Sequence, residues 1–290
     1  MSVTVIGDAF IDVIVPVQGI KPGETHHRKI IMQCGGTANV AVQIAKLGVK
    51  SKFIGKVGDD VFGRYFKQNL KINGVRDLTF VDKKNPTGLC ISLSYENGER
   101  AMVANRGAND YLKKEEVRYC IDEIKDSKIV YFSGYSLLSR KNSESILYLI
   151  EESRKHGCQI YFNPGAPNTI KRDFKNIICN FVNVLIQNIE EAKNMAKKSE
   201  IGEIAKSLNN MVDSAVITMG EEGCIIIPKG NNYMRVGTEK LKTVDTTGAG
   251  DAFAAGFIVG KLKGQEDREC ARLGNEVAAK FLKEKMELVR

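Results

Sequence analysis

Short runs rich in valine and isoleucine alternate along this chain with amphipathic segments, and that alternation limits the possible folds more than any other feature. The apolar runs are "VTVIG" (3 to 7), "SKFIGKVG" (51 to 58), "KIVYFSG" (128 to 134), "QIYFNPG" (159 to 165), "VNVLIQN" (182 to 188) and "SAVITMG" (214 to 220). Between them lie "TANVAVQIAKLG" (37 to 48), "VFGRYFKQNLKING" (61 to 74), "NSESILYLIEESRKHG" (142 to 157), "IEEAKNMAKK" (189 to 198) and "DAFAAGFIVGKLKG" (251 to 264). The first set has the length of buried strands, and the second has the spacing of one-sided helices. Strands joined through helices run parallel, with the helices on both faces of one sheet. The predicted fold is therefore α/β, a doubly wound and mostly parallel sheet whose ligands sit beyond the carboxyl ends of its strands.

Two stretches, 11 to 36 and 86 to 107, break the pattern. They are β-rich, punctuated by Gly, Pro and Asn, and have no helix between their strands. They predict a small discontinuous β-sheet lid (11–36 and 86–107) over a large domain made of 1–10, 37–85 and 108–290. Lid strands such as "KIIM" (29 to 32) and "GLCISLSY" (88 to 95) leave an apolar face uncovered, which predicts a homodimer through the lid.

Composition excludes several function classes. With 290 residues and 43% of them hydrophobic, the chain is long enough for one large core and is not disordered. Its longest apolar stretches fall short of the roughly 20 residues that span a bilayer, so no membrane partner is expected. The opening "MSVTVIGDAFIDVIV" reads directly as a strand with no basic leader, and a cytoplasmic location is expected. The seven cysteines make neither a CxxC clip nor a disulfide framework. A net charge of +8 is spread over basic pairs interleaved with Asp and Glu, which argues against a nucleic-acid face and is compatible with a phosphorylated small molecule.

"DTTGAGDAFAAGF" (245 to 257) carries the chemistry. It precedes a helix whose Phe253, Phe257, Ile258 and Leu262 share a face, so a glycine turn sits at a helix N-terminus. Backbone N–H groups there point outward into a field that favours an anion. Gly248 and Gly250 let peptides approach an oxyanion unobstructed, and Ala249 is the bulkiest residue that fits. Taken alone, Asp251 is equally a helix cap. Neither a Walker GxxxxGK[ST] nor an early GxGxxG is present.

The same stretch resembles the C-terminal signature of the ribokinase-like, or phosphofructokinase-B, family of carbohydrate kinases. "GGTANVAVQIAKLG" (35 to 48) with "FIGKVGDDVFGRYFKQNLKINGV" (53 to 75) is similar to the family's N-terminal signature, and "QNIEEA" (187 to 192) resembles its NxxE element. "NP" at 163 to 164 and "ITMGEEG" (217 to 223) follow in family order. The resemblance implies that Asp251 is the base, that the amides of Gly248, Ala249 and Gly250 hold the developing phosphoryl charge, and that ATP and Mg2+ are the cofactors. It gives Asn188 to the nucleotide and Glu191 to magnesium, held through water, although N-x-x-E is also a helix capping box. Asp12, Gly35, Gly36 and Asn39 would meet the sugar. Thr218, Gly220, Gly223 and Asn275 would flank the adenine. Arg106 would meet a substrate carboxylate or else is a surface arginine.

The chain ends at Arg290 without the further Gly-Ala loop the family usually carries. Asp245 and Thr247 are thus half of a monovalent-cation site, and K+ is expected to bind weakly. The reading at this level is ATP-dependent phosphorylation of a hydroxyl, most simply a primary one, of a small sugar or sugar acid. Its rivals are a nucleoside kinase of the same fold and a non-catalytic sugar or nucleotide sensor.

Overall fold

The computed structural model describes residues 1–20, 23–27, 29–95, 100–165, 174–241 and 246–289. The first part of the chain forms β1 (Ser2–Ile6), β2 (Ala9–Pro16), β3 (Ile31–Gly36), α1 (Ala38–Lys46), β4 (Lys50–Ile54), β5 (Lys56–Gly58), α2 (Val61–Ile72), β6 (Arg76–Asp77), β7 (Phe80–Asp82), β8 (Gly88–Ser94) and β9 (Arg100–Asn105). The middle forms α3 (Lys114–Val117), α4 (Ile121–Lys125), β10 (Ser127–Ser133), α5 (Arg140–Lys155), β11 (Gln159–Asn163), α6 (Lys175–Phe181), β12 (Val184–Asn188) and α7 (Ile189–Ala196). The last part forms α8 (Ile201–Asn209), β13 (Ser214–Thr218), β14 (Cys224–Pro228), β15 (Met234–Val236), α9 (Ala249–Leu262) and α10 (Asp267–Val289).

The main sheet has nine strands in the order β15-β14-β13-β12-β11-β10-β1-β4-β6, parallel throughout except for β14. Because its strands are buried on both faces, they read as unbroken apolar runs rather than alternating ones. Successive side chains still point to opposite faces. Val3, Val5, Tyr131, Ile186 and Val216 meet α9, α10 and α1 on one side. Ile6, Val130, Phe132, Leu185 and Ile217 meet α5, α6 and α8 on the other. Burying each such side chain contributes about 1.5–3 kcal/mol. Strand order reverses between β1 and β10, the switch point at which sheets of this type open a crevice.

A second sheet of four strands, in the order β3-β2-β8-β9, stands apart from the first. Here β2 and β8 run parallel, and each carries an antiparallel partner on its outer side. Its first strand begins at Ala9, immediately after β1 and the Gly7-Asp8 step. Met32, Met102 and Val103 are exposed on it.

One apolar run divides where sequence periodicity alone suggests continuity. "SKFIGKVG" becomes β4 in the main sheet and β5 in a separate pair with β7, because Gly55 passes against the carbonyl of Gly7 with no room for a side chain. The apolar stretch from Ala215 to Pro228 folds back on itself as the β13–β14 hairpin, closed by the bond from Met219 N to Gly223 O at 2.7 Å. The short run "KLKTV" (240 to 244), whose composition reads as a strand leading into the glycine turn, lies largely outside the described residues.

Candidate active site

The glycine turn enters α9 with Gly248 in the left-handed conformation (φ 86°), and a Cβ there would stand 2.8 Å from the ring of Phe281. Both constraints select glycine. Gly250 faces open space. The amides of Gly250 and Asp251 have no backbone acceptor among the described residues, as expected of a helix's first turn. Ala249 departs from expectation. Its N–H closes the turn onto the carbonyl of Thr246 at 3.1 Å, so the open donors are shifted one residue along the helix.

Asp251 is partly buried, and Asn39, projecting from α1, donates its amide to Asp251 Oδ2 at 3.3 Å. Burial pushes the Asp251 carboxyl up to about 7; the Asn39 bond opposes this, and the carboxylates of Asp12 and Glu191 add to it. Asp12 stands in the middle of the small sheet, in register with Gln33 and Cys90. Its carboxylate packs on Gly35 so closely that a Cβ there would lie 1.9 Å from Oδ2, which is why that position has no side chain. Burial pushes the Asp12 carboxyl up to about 6, with the charge of Lys285 pulling it down. Gly36 lies beside the Asp8 carbonyl at the sheet's root.

Glu191 and Asn188 form a reciprocal cap on α7. Asn188 Oδ1 accepts from the Glu191 amide, and Glu191 Oε2 accepts from the Asn188 amide, both at 2.9 Å. Burial raises the Glu191 carboxyl, and the bonds from the Asn188 backbone and the Asn163 side chain lower it. Both residues also line a small cavity of about 190 Å³ with Asn163, Gly248, Gly250 and Asp251. It adjoins a larger cleft of about 610 Å³, where Asn188, Thr218, Gly220, Gly223, Ala249 and Asn275 meet. Asn275 is buried and donates to the carbonyl of Gly237 at 3.0 Å, fixing α10 to the chain beyond β15.

One expected residue behaves otherwise. Arg106 is not a free cation facing a substrate. Its guanidinium forks onto buried Asp8 (2.9 and 3.0 Å) and donates a third bond to Asp110 at 2.6 Å, tying the small sheet to the body. Asp245 lies outside the described residues. Thr247 lies within them, and its carbonyl accepts a hydrogen bond from Lys285 Nζ at 3.1 Å.

The model of the pfkB family of carbohydrate kinases matches residues 1–286, nearly the whole chain and both signatures. The chain belongs to that family. Among curated relatives of this carbohydrate kinase, an uncharacterized sugar kinase of Archaeoglobus fulgidus is 29% identical over 242 residues, 82% of this chain and 94% of the relative. The 5-dehydro-2-deoxygluconokinase of Bacillus subtilis is 29% identical over 260 residues, 84% of this chain and 79% of that one. Among solved structures, adenosine kinase from Sinorhizobium meliloti superposes with a TM-score of 0.88 at 27% identity, covering 97% of this chain and 94% of the other. A putative ribokinase II from E. coli in complex with ATP and Mg2+ shares the fold at a TM-score of 0.84 and 22% identity, over 96% and 91% of the two chains. The pfkB kinase thus has the ribokinase-like architecture, a mostly parallel central sheet with helices and a separate small sheet.

Three residues that sequence reasoning passed over belong to the kinase's candidate site. Tyr131 lies on the buried floor, where burial and the carboxylates of Asp251 and Glu191 hold its phenol neutral. Asn163, at the end of β11, bonds the Ile186 carbonyl and the Gly165 amide and so shapes the small cavity. Lys285 comes from the last turns of α10. The "NP" at 163 to 164 pointed toward Asn163, whereas nothing local distinguishes Tyr131 from a core residue.

Proposed function

We propose that this carbohydrate kinase transfers the γ-phosphoryl group of ATP to a hydroxyl, in the simplest case a primary one, of a small sugar or sugar acid. The observation that carries the reading is the meeting of Asp251, Asn39, Asp12 and Gly35 at one point between the small sheet and the N-terminus of α9. A hydroxyl bound there lies against a carboxylate whose proton affinity, near 7, matches general-base duty at neutral pH. In a loose phosphoryl transfer the proton leaves late, so Asp251 chiefly orients the hydroxyl and accepts its proton as the new bond forms. The Gly248, Gly250 and Asp251 amides act as the anion hole for the transferred group. The nucleotide occupies the larger cleft, with Thr218, Gly220, Gly223 and Asn275 about its base and Asn188 on the phosphate side.

The donor set suits a divalent ion. Among the described residues no three acidic side chains converge as a direct ligand set, but burial, with the Asp12 and Glu191 carboxylates, raises the proton affinity of Asp251, and a nearby cation held through water would relieve that. Glu191 and Asn188 would hold magnesium through water, consistent with its reluctance to lose its own shell. When bound, magnesium neutralises phosphate charge. The capping role and the metal role of Glu191 are compatible, since the cap uses one carboxylate oxygen.

The small sheet, residues 11–36 and 86–107, acts as a lid over the sugar, hinged to a body of 1–10, 37–85 and 108–290. With Arg106 committed to Asp8 and Asp110, a substrate carboxylate, if present, would have to meet another cation. The seven unpaired thiols suit the reducing cytoplasm. A nucleoside kinase is the second reading, favoured by the 27% identity to an adenosine kinase. A coupled ADP-release assay across ribose, fructose, 2-keto-3-deoxygluconate, myo-inositol, adenosine and cytidine separates these. Turnover with a sugar is expected, preference for adenosine or cytidine would move the assignment to nucleosides, and no turnover with any of them would favour the sensor.

A further inference from the structure

We propose that the ammonium of Lys285 is a fixed, built-in cation behind the anion hole, doing there what an exchangeable potassium ion would otherwise do. The inference rests on the reading of the α9 N-terminus as that hole. Lys285 is 8% exposed and donates from Nζ to the Thr247 carbonyl at 3.1 Å. That carbonyl belongs to the same peptide unit as the Gly248 N–H. Drawing electron density toward the oxygen makes the N–H on the other side of the peptide a stronger donor, the chain polarisation that hydrogen-bond networks show in a low dielectric. The cation therefore acts on the phosphoryl group through one peptide plane, without touching it.

The placement is built by α10. Phe281 and Lys285 are four residues apart and share a face. The ring of Phe281 meets Gly248, and the ammonium meets Thr247, so two successive turns of one helix clamp the residues that lead into α9. The stem is buried with the head, and the ammonium occupies, at the Thr247 oxygen, one of the contacts an ion would need. The same charge lowers the proton affinity of Asp12 across the site, which keeps a sugar-facing carboxylate ionised. A potassium ion held by carbonyls needs enough of them to replace its water shell, and here the Thr247 oxygen already serves Lys285. Lys285 is a positioning residue, acting through the peptide it bonds.

The test compares the wild type with Lys285→Met in potassium, ammonium and tetramethylammonium chloride at one ionic strength. Affinity for a non-hydrolysable ATP analogue with magnesium is read by calorimetry, and the melting temperature is read without nucleotide. The wild type should change its affinity by less than about threefold between the salts, and its melting temperature should not respond. Lys285→Met should lose about tenfold or more in affinity and in kcat in tetramethylammonium. Potassium or ammonium should restore part of both and raise the variant's melting temperature by filling the vacated place. Lys285→Arg, which keeps the charge, should retain more than Lys285→Met. A wild type whose affinity or melting temperature rises with potassium overturns the proposal, and so does a folded Lys285→Met that loses nothing or that no cation rescues. If Lys285→Met does not fold, the wild-type salt comparison and the Arg variant decide alone. A wild type that melts normally yet binds no nucleotide in any salt would count against the proposed function, while the melting response still judges Lys285.

Discussion

The catalytic role proposed for Asp251 would carry a stability penalty, and both can be measured on one substitution. Asp251→Asn keeps the side-chain shape and removes the proton acceptor, so it should leave nucleotide affinity nearly unchanged and lower kcat by about 10² or more. Near-normal turnover would remove Asp251 from the role of base. The same variant should be more stable than the wild type at pH 8. In the folded protein the carboxyl is raised to about 7, whereas in the unfolded chain it titrates near 4. The stabilising contribution of the protonated form is complete below about 4 and is lost as pH rises toward 7, above which the ionised group costs a few kcal/mol. The melting-temperature advantage of Asp251→Asn should therefore shrink as pH falls and vanish near pH 4; an advantage that does not change with pH would contradict the shift. At this scale the sequence exposed residues embedded in a local motif: Asp251 with its glycines, Asn188 with Glu191. It hid Lys285 and Tyr131, which reach the site through packing between segments far apart in the chain and carry no motif of their own. It also misassigned one local detail, because whether Ala249 or its successor presents an open amide depends on a turn bond that composition does not encode.

The elements behind the site owe their spacing to glycine contacts rather than to bulky side chains. Gly256 on α9 and Gly274 on α10 face one another: a Cβ on Gly256 would meet the Leu273 carbonyl at 2.7 Å and the Gly274 Cα at 2.8 Å. Gly256→Ala should destabilise the protein by about 1–3 kcal/mol through overpacking, the opposite sign to the gain of roughly 0.5–1 kcal/mol that the change brings inside an uncrowded helix. Urea unfolding gives that sign directly, and a stabilised variant would show that the helices can move apart. Because α10 also carries Phe281, Lys285 and Asn275, the variant should weaken nucleotide binding as well. Helices and strands of the body were legible from period and length, as α1, α2, α5 and β10 to β13 illustrate. The split at Gly55 was not, because it depends on a contact with another part of the chain. The long helix α10 was also underread, since its buried face is narrow and its role lies in what it holds in place.

As a whole, the molecule presents a sheet one face of which carries exposed apolar side chains at Met32 (48% exposed), Ile91 (36%) and Val103 (65%), aligned across the strands through Val13. Such a face, with an unpaired edge at β3 and at β9 among the described residues, fits a second copy of itself, and a homodimer through the small sheet is expected. Light scattering should give twice the chain mass, and Val103→Glu should shift it toward one; a wild type that stays monomeric at high concentration would rule this dimer out. The attachment of that sheet has a mechanical consequence. At its root, buried Asn109 holds both the amide and the carbonyl of Ala9 (2.7 and 2.9 Å), and Arg106 locks onto Asp8 beside it. Anchored there, β2 is a lever: its eight residues extend for about 26 Å at about 3.3 Å each. On that scale a swing of about 10° carries the far end through about 4 to 5 Å, yet moves Asp12, three residues from the anchor, by less than about 2 Å. The leverage grows away from the root, so a swing that displaces the rim by several ångströms leaves Asp12 close to its place.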